Sequence, residues 1–159
     1  KFSYFLFSLL IAASIHIMTK MGAFNGLIKG LSKYAKSKRS ALLITYFMGY
    51  FVFFDDYANT LVVGSTMRKI TDRFKISREK LAFIVDATAA PIASIAFVST
   101  WIGYEIQLIK EGLENSNYSG SESAYGIFLN AVAYSFYPIL ILVFVFTLSF
   151  IFIKIKSVK

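Results

Sequence analysis

Long apolar runs alternate with short clusters of charge along this chain. The runs cover residues 2–18, 81–109 and 124–153. A membrane-crossing helix needs about 20 mostly apolar residues, so the chain has room for several crossings and for little soluble domain. We interpret every segment as helix, half-helix or loop. The pattern predicts an all-α membrane protein of transmembrane helices, some of them broken.

Two basic stretches, residues 29–39 and 68–80, bracket a shorter apolar region. The positive-inside rule assigns both stretches to the cytoplasm, so the chain between them must enter and leave the membrane on one side. About 28 residues, 40–67, separate them, which is too few for two crossings of about 20 residues each. This spacing predicts a re-entrant hairpin whose turn lies near residues 55–59.

The remaining charges complete the predicted topology. Residues 110–123 are acidic and rich in Ser, Asn and Gly, which is typical of an outer loop, and lysines at 154–159 mark a cytoplasmic end. Because residue 1 is Lys rather than Met, we expect residues 1–159 to be a single transmembrane domain taken from a longer protein.

The stretch at residues 21–35 leaves two interpretations open. Gly22, Gly26 and Gly30 recur at four-residue spacing, which clears one helix face for close packing against another helix. The same stretch also fits a loose amphipathic connector. The first interpretation would allow a homo-oligomer or a partner subunit.

Composition excludes several classes of protein. The chain is 57% hydrophobic and 16% charged, whereas a soluble domain carries about a quarter charged residues. The net charge of +8 comes from basic residues in short loops, so we expect a lipid bilayer rather than nucleic acid as partner. There is no Cys and a single His, His16, which argues against thiol chemistry, a Cys-based metal site and a His metal pair. We expect no enzyme and no cofactor.

Asp55 and Asp56 are the strongest functional signal. A carboxylate in the middle of a membrane helix costs roughly 2.5–3.5 kcal/mol on insertion scales, so two adjacent ones are expensive. No Lys or Arg lies between Arg39 and Arg68, which leaves no neutralising charge within the segment. Buried acids without a local counter-ion are typical of cation or proton pathways.

Two further polar residues follow the acids at helical spacing. Asn59 falls on the helix face of Asp55, and Thr60 on the face of Asp56. Around a broken helix these four side chains would converge as hard oxygen ligands for a small cation. The alternative is that one Asp pairs with Arg68 across the hairpin or caps the second half-helix.

Asp86, Thr88 and Pro91 suggest a second half of the same site. Pro91 cannot donate a backbone hydrogen bond and its ring crowds the Ala87 carbonyl, so a broken helix there would present a free carbonyl beside Asp86 and Thr88. We expect Asp86 within roughly 10 Å of the acid pair, where carboxylates couple in a poorly screened interior. The alternative is an ordinary proline kink, with Asp86 facing cytoplasmic water.

Ser99 and Thr100 are weaker candidates. Their hydroxyls would add oxygen ligands, but hydroxyls in spans also bond back to their own backbone. Trp101 and Tyr104 fit the aromatic belt at the outer interface.

Five segments in order resemble the NhaC-type sodium/proton antiporters. They read F-D-D-Y-A-N at 54–59, G-S-T-M-R at 64–68, I-S-R-E-K-L-A at 76–82, D-A-T-A-A-P at 86–91 and S-T-W at 99–101. The resemblance covers about residues 40–105. It implies an ion transporter built from inverted repeats and broken helices, considerably longer than this chain.

The resemblance also implies exchange of sodium for protons in a bacterial plasma membrane, by a multi-pass protein. A cation and a proton would compete for Asp55 and Asp56, so the expected metal is a transported sodium ion at the same residues. Similar proteins exchange sodium or protons against small organic anions such as malate and lactate, which keeps that function open. A third alternative is a non-transporting membrane subunit that uses the Gly22, Gly26 and Gly30 face.

Overall fold

The computed structural model describes residues 33–116, 118 and 120–151, with scattered positions before residue 33 (10, 13, 14, 17, 18, 20–22, 26, 30 and 31). From residue 38 onward the regular secondary structure of the described chain is all helical, with no strand. Its helices are α1 (Lys38–Phe51), α2 (Asp56–Arg73), α3 (Arg78–Ile95), α4 (Thr100–Asn115), α5 (Ala124–Val132) and α6 (Phe136–Ile151). The all-helical prediction is confirmed for these residues. The predicted first span and basic C-terminal end lie almost wholly outside them.

Side-chain caps set the start of five of these helices. The N-cap residues are Ser37, Asp55, Ser77, Ser99 and Ser123, and each accepts a hydrogen bond from a backbone N–H of the first turn. Ser and Asp are favoured at this position because the first N–H groups of a helix have no partner within the helix. The helix boundaries are therefore determined locally.

Helix α3 is the centre of the packing. It contacts α1, α2, α4 and α6. The core holds fully buried apolar side chains from four of these helices, namely Leu42, Met48, Val63, Ile84 and Val145. Close packing of these side chains stabilises the bundle through many small dispersion contacts.

Helices α1 and α3 run in the same direction, with α2 returning between them. Lys38 at the start of α1 lies close enough to Lys80 at the start of α3 for their charges to repel. Gly49 near the end of α1 lies against Thr88 and Ile92 near the end of α3. Helices α1 and α2 therefore form a helical hairpin; that it is re-entrant stays a prediction.

The hairpin turn lies three residues earlier than expected. Helix α1 ends at Phe51, and α2 begins at Asp56 with Asp55 as its N-cap. The predicted turn at 55–59 is wrong because the Asp55 side chain starts the helix, so that Asn59 already lies in its second turn. The break covers residues 52–55.

The prediction of a broken helix at 86–91 is wrong in position. Helix α3 continues through Pro91 and ends at Ile95. Proline costs an internal helix about 3 kcal/mol, but Pro91 is buried, and packing against α1, α2 and α6 holds the helix together. The chain instead leaves the helix at residues 96–99.

No single helix among the described residues combines the length and hydropathy of a membrane span. Two bent helix pairs meet the length and hydropathy criteria when each pair is taken together. They are α3 with α4, at an angle of 42°, and α5 with α6, at an angle of 44°.

Candidate cation site

The two breaks in the bundle meet each other. The backbone N–H of Thr100, at the start of α4, donates a 3.0 Å hydrogen bond to the carbonyl of Phe54 in the first break. Because this bond is between main-chain atoms, it fixes the register of α4 against the start of α2. The residues that follow each break are thereby brought side by side.

Asp55 joins α2 to α4. Its Oδ1 accepts a 2.8 Å hydrogen bond from the backbone N–H of Ala58, and its Oδ2 accepts a 3.2 Å bond from the Thr100 hydroxyl. Only 9% of Asp55 is exposed. The alternative that Asp55 caps the second half-helix is observed, and the cap still leaves one carboxylate oxygen turned toward α4.

Asp56 is held from the same direction. Its Oδ1 accepts a 3.0 Å hydrogen bond from the indole N–H of Trp101. Asp56 lies in the first turn of α2, where the positive end of the helix dipole favours a negative charge. Two adjacent acids on α2 thus meet two adjacent donors on α4.

The buried side chain of Asn59 hydrogen-bonds to backbone carbonyls on the other side of the first break. It is fully buried, and its Nδ2 donates to the carbonyls of Gly49 at 2.8 Å and Val52 at 3.2 Å. Both partners are acceptors, so the amide orientation is determined by chemistry. Its Oδ1 is buried and has no hydrogen-bond partner. A buried acceptor left open in this way invites a donor or a cation.

Thr88 and Ser99 complete the surroundings of the breaks. The fully buried Thr88 hydroxyl donates to the carbonyls of Ile84 and Val85, and it would lie 3.2 Å from a Cβ placed on Gly49. Ser99 caps α4 and also donates a 2.6 Å bond to the Ala93 carbonyl. Thr88 therefore contributes to packing between α1 and α3, and Ser99 stabilises both ends of the second break.

Thr60 and Asp86 lie in a different place. Both are exposed in the described chain, and they line an open cavity of about 580 Å³ between α2 and α3 together with Arg68 and Arg78. The other six predicted site residues do not line it. The structure thus separates Thr60 and Asp86 from the hydrogen-bonded group around Asp55.

The site lacks the features of a resident metal centre. Within the described residues, no three His, Cys, Asp or Glu side chains are grouped so that they could hold a metal ion. The ion pairs recorded there are surface contacts, Arg78 with Asp72 at 3.5 Å and Lys110 with Glu114 at 4.0 Å. The oxygens around the breaks come from two acids, one amide, the hydroxyls of Ser99 and Thr100, and backbone carbonyls.

Comparison with known proteins assigns the chain to a family. The model of the Na+/H+ antiporter family matches residues 2–96. The chain belongs to the Na+/H+ antiporter family. The matched region includes α1, α2 and α3 with Asp55, Asp56 and Asn59, and it ends three residues before Ser99. Membership in an antiporter family implies a membrane protein.

A relative from Haemophilus influenzae, described as an uncharacterized protein, is 35% identical over 153 residues. The alignment covers 96% of this chain and 29% of that relative. The chain thus spans less than a third of its relative's length. No solved structure matches the chain.

Sequence reasoning about this antiporter-family chain missed two residues that shape the site. Trp101 was expected in an aromatic belt, yet its N–H bonds to Asp56. Gly49 gave no signal beyond its lack of a side chain, although its carbonyl holds Asn59 and its Cα lies against Thr88. These contacts join residues that are 10 to 45 positions apart in sequence, so helical spacing did not predict them.

Proposed function

We propose that this chain is one part of an NhaC-type antiporter that exchanges sodium for protons at the meeting point of the two breaks. Residues 1–159 would belong to a single multi-pass transmembrane domain of a longer transporter in a bacterial plasma membrane. The proposal rests on family membership and on the resemblance of five ordered motifs. It requires no cofactor and no covalent chemistry.

The observation that carries the proposal is the position of Asp55. The residue is 9% exposed and lies at the break between α1 and α2, and its carboxylate accepts a hydrogen bond from the start of α4. Discontinuous helices that meet at a break are the usual setting for sodium and proton sites in secondary transporters. Asp56 beside it supplies a second negative charge.

The arrangement suits competition between a small cation and a proton. Carboxylate oxygens of Asp55 and Asp56 and the open Oδ1 of Asn59 are hard ligands of the kind that an alkali cation prefers. A proton on either carboxylate removes the charge that attracts the cation. Exchange follows if the loaded site is exposed alternately to the two sides of the membrane.

The hydroxyl-bearing residues and Asp86 take supporting roles in this proposal. Thr100 orients Asp55, while Thr88 and Ser99 hold the helices on either side of the breaks. Asp86 and Thr60 line the cavity between α2 and α3 together with Arg68 and Arg78, where Asp86 lowers the net positive charge of the lining. Each of these supporting roles uses a hydroxyl group or a carboxylate that the chain itself supplies.

Membrane insertion fits the bent helix pairs. The α3–α4 and α5–α6 pairs have the length and hydropathy of spans when each is taken together. We assign both pairs to crossings and the α1–α2 hairpin to a re-entrant element. Backbone breaks at membrane depth are tolerated where protein or water surrounds them, which is the setting of residues 52–55 against α4.

Transport of an organic anion at the same place is less favoured. An anion would need a cationic side chain or a free helix N-terminus. No Lys or Arg occurs between residues 39 and 68 or between residues 80 and 110, and the N-terminus of α2 is already capped by the Asp55 carboxylate. The charges around the breaks favour a cation.

The test uses the full-length protein reconstituted in proteoliposomes that contain a pH-sensitive dye. An inward sodium gradient should drive proton efflux, and an equal choline gradient should not. Proton movement that does not depend on the sodium gradient would contradict the proposal. Dependence on an added dicarboxylate or hydroxy acid would instead favour the organic-anion exchanger.

A further inference from the structure

Two consecutive acids face two consecutive donors where the breaks meet. Thr100 donates to Asp55 at 3.2 Å, and Trp101 donates to Asp56 at 3.0 Å. The backbone bond from Thr100 to Phe54 lies beside these contacts and holds them in register. The Trp101 contact is thus part of an ordered junction of main-chain and side-chain bonds.

The chemistry of the indole makes this contact informative. The indole nitrogen is a donor only, and a tryptophan at a membrane interface usually turns it toward water or headgroups. Trp101 is 45% exposed, so burial alone does not force its N–H onto a protein acceptor. It donates instead to a carboxylate, and hydrogen bonds to charged acceptors are stronger than those between neutral groups.

We infer that Trp101 is a positioning residue that sets the Asp56 carboxylate for cation binding. This inference rests on the proposed function and adds to it the group that orients the second acid. A carboxylate held in one rotamer loses less conformational freedom when it binds an ion. Because Trp101 belongs to α4, any shift of the second break would also move the carboxylate that lies at the first.

The central experiment compares Trp101→Phe with wild type in the full-length protein in proteoliposomes. Phenylalanine keeps an aromatic ring and removes the N–H. We expect the sodium concentration for half-maximal exchange to rise roughly 3- to 10-fold, the value of one net hydrogen bond. The maximal rate per inserted protein should change less than twofold, on the order of experimental error for such a ratio.

Tyr104→Phe is the matched control, since Tyr104 is 56% exposed on the same helix and also loses one polar hydrogen. Its half-maximal sodium concentration should equal that of wild type. A Trp101→Phe variant that changes in maximal rate alone, or not at all, would overturn the inference. If that variant does not insert, the emission measurement described next, which keeps Trp101 in place, decides the inference.

A spectroscopic readout separates this inference from the proposed function. Trp101 is the single tryptophan of the chain, so its emission can be isolated once tryptophans elsewhere in the full-length protein are replaced by phenylalanine. Excited indole moves electron density away from its nitrogen, and a nearby carboxylate stabilises that state. Asp56→Asn should therefore shift emission to shorter wavelength, while Asp72→Asn should not.

The proposed function and the positioning role of Trp101 can be contradicted independently of each other. A wild-type protein without sodium-coupled proton movement would contradict the proposed function, whatever the emission does. Exchange in wild type together with an emission spectrum unaffected by Asp56→Asn would overturn the role of Trp101 and leave the proposed function standing.

Discussion

The hydroxyl of Thr100 donates a 3.2 Å hydrogen bond to the Oδ2 of Asp55, across 45 residues of sequence. The bond links the start of α4 to the start of α2, and the other oxygen of the same carboxylate caps α2 through Ala58. Asp55 is therefore bound at once to its own helix and to a helix from the second break. A change of charge at this carboxylate would be felt by both.

The first prediction concerns that charge. Asp55→Asn should abolish sodium-coupled proton exchange and leave the folded protein in the membrane. Asparagine is as good an N-cap as aspartate, so α2 should still begin at the same residue, and loss of a buried charge should ease insertion. Exchange is measured in proteoliposomes, and folding by the melting temperature in detergent.

Asp72→Asn is the control for this substitution. Asp72 also belongs to α2, but its side chain is 46% exposed and pairs with Arg78 at the surface. Exposed ion pairs contribute little to stability, so exchange and melting should both stay near wild type. Normal exchange in Asp55→Asn, or equal loss in both variants, would contradict a specific role for Asp55.

Charge and length were sufficient to predict the α1–α2 hairpin. The basic stretches at 29–39 and 68–80 leave too little chain for two crossings, and that constraint holds whatever the contacts are. The position of the turn depends on a weaker effect. Asp55 could bind a cation or cap a helix, and the sequence pattern fits both roles. The structure shows the cap, which moves the turn to residues 52–55.

The second break was misplaced because a local rule was outweighed by packing. Pro91 predicts a disrupted helix, yet α3 is buried among its neighbours and continues to Ile95. The actual break lacks Pro and Gly, and Ser99 holds it by bonding to Ala93 and Ile102. Serine residues that could cap a helix are common in any sequence, so Ser99 did not predict a break at this position.

The second prediction tests the orientation of the hairpin. Cysteines placed at Lys36 and Lys69 should react with a membrane-impermeant maleimide from the same side, and a cysteine at Ser121 from the other side. The basic residues around the first two positions favour the cytoplasm. Residues 1–159 contain no native cysteine, so this part of the protein adds no background. Opposite labelling of positions 36 and 69 would rule out the re-entrant hairpin.

The third prediction compares two helical glycines. A Cβ on Gly49 would lie 3.2 Å from both Ile92 Cδ1 and Thr88 Oγ1, whereas a Cβ on Gly112 would meet nothing within 4 Å. Gly112→Ala should stabilise the protein by about 0.5–1 kcal/mol, the gain in helix propensity. In Gly49→Ala the same gain is offset by crowding of buried side chains, which costs about 1–3 kcal/mol.

Melting temperatures of the full-length variants in detergent give the comparison. We expect Gly112→Ala to melt above wild type and Gly49→Ala at or below it. If both variants were stabilised equally, the close contact between α1 and α3 at Gly49 would be wrong, since Thr88 and Ile92 would then have room for a methyl group.

The last prediction concerns Asn59, which combines a structural bond with an open acceptor. Its Nδ2 holds the carbonyls of Gly49 and Val52, while its buried Oδ1 has no partner. Asn59→Ala should destabilise the protein by about 1–3 kcal/mol, because the Val52 carbonyl loses this donor, whereas the Gly49 carbonyl keeps a bond from the Val52 N–H. If Oδ1 also binds the cation, sodium should stabilise the wild-type protein against heating, because a ligand of the folded state raises its stability by mass action. Asn59→Ala should lose most of that sodium-dependent rise.

Asn130→Ala provides the comparison, because Asn130 is an exposed asparagine on α5. Its melting temperature and its response to sodium chloride over choline chloride should match those of wild type. Two separate effects are expected in Asn59→Ala, a lower melting temperature without sodium and a smaller rise with it. A lower melting temperature with an undiminished sodium response would mean that Asn59 holds the break and leaves cation binding to the acids. An undiminished sodium response in the alanine variant would thus remove Oδ1 from the proposed ligands, while Asp55 and Asp56 would still have to account for exchange.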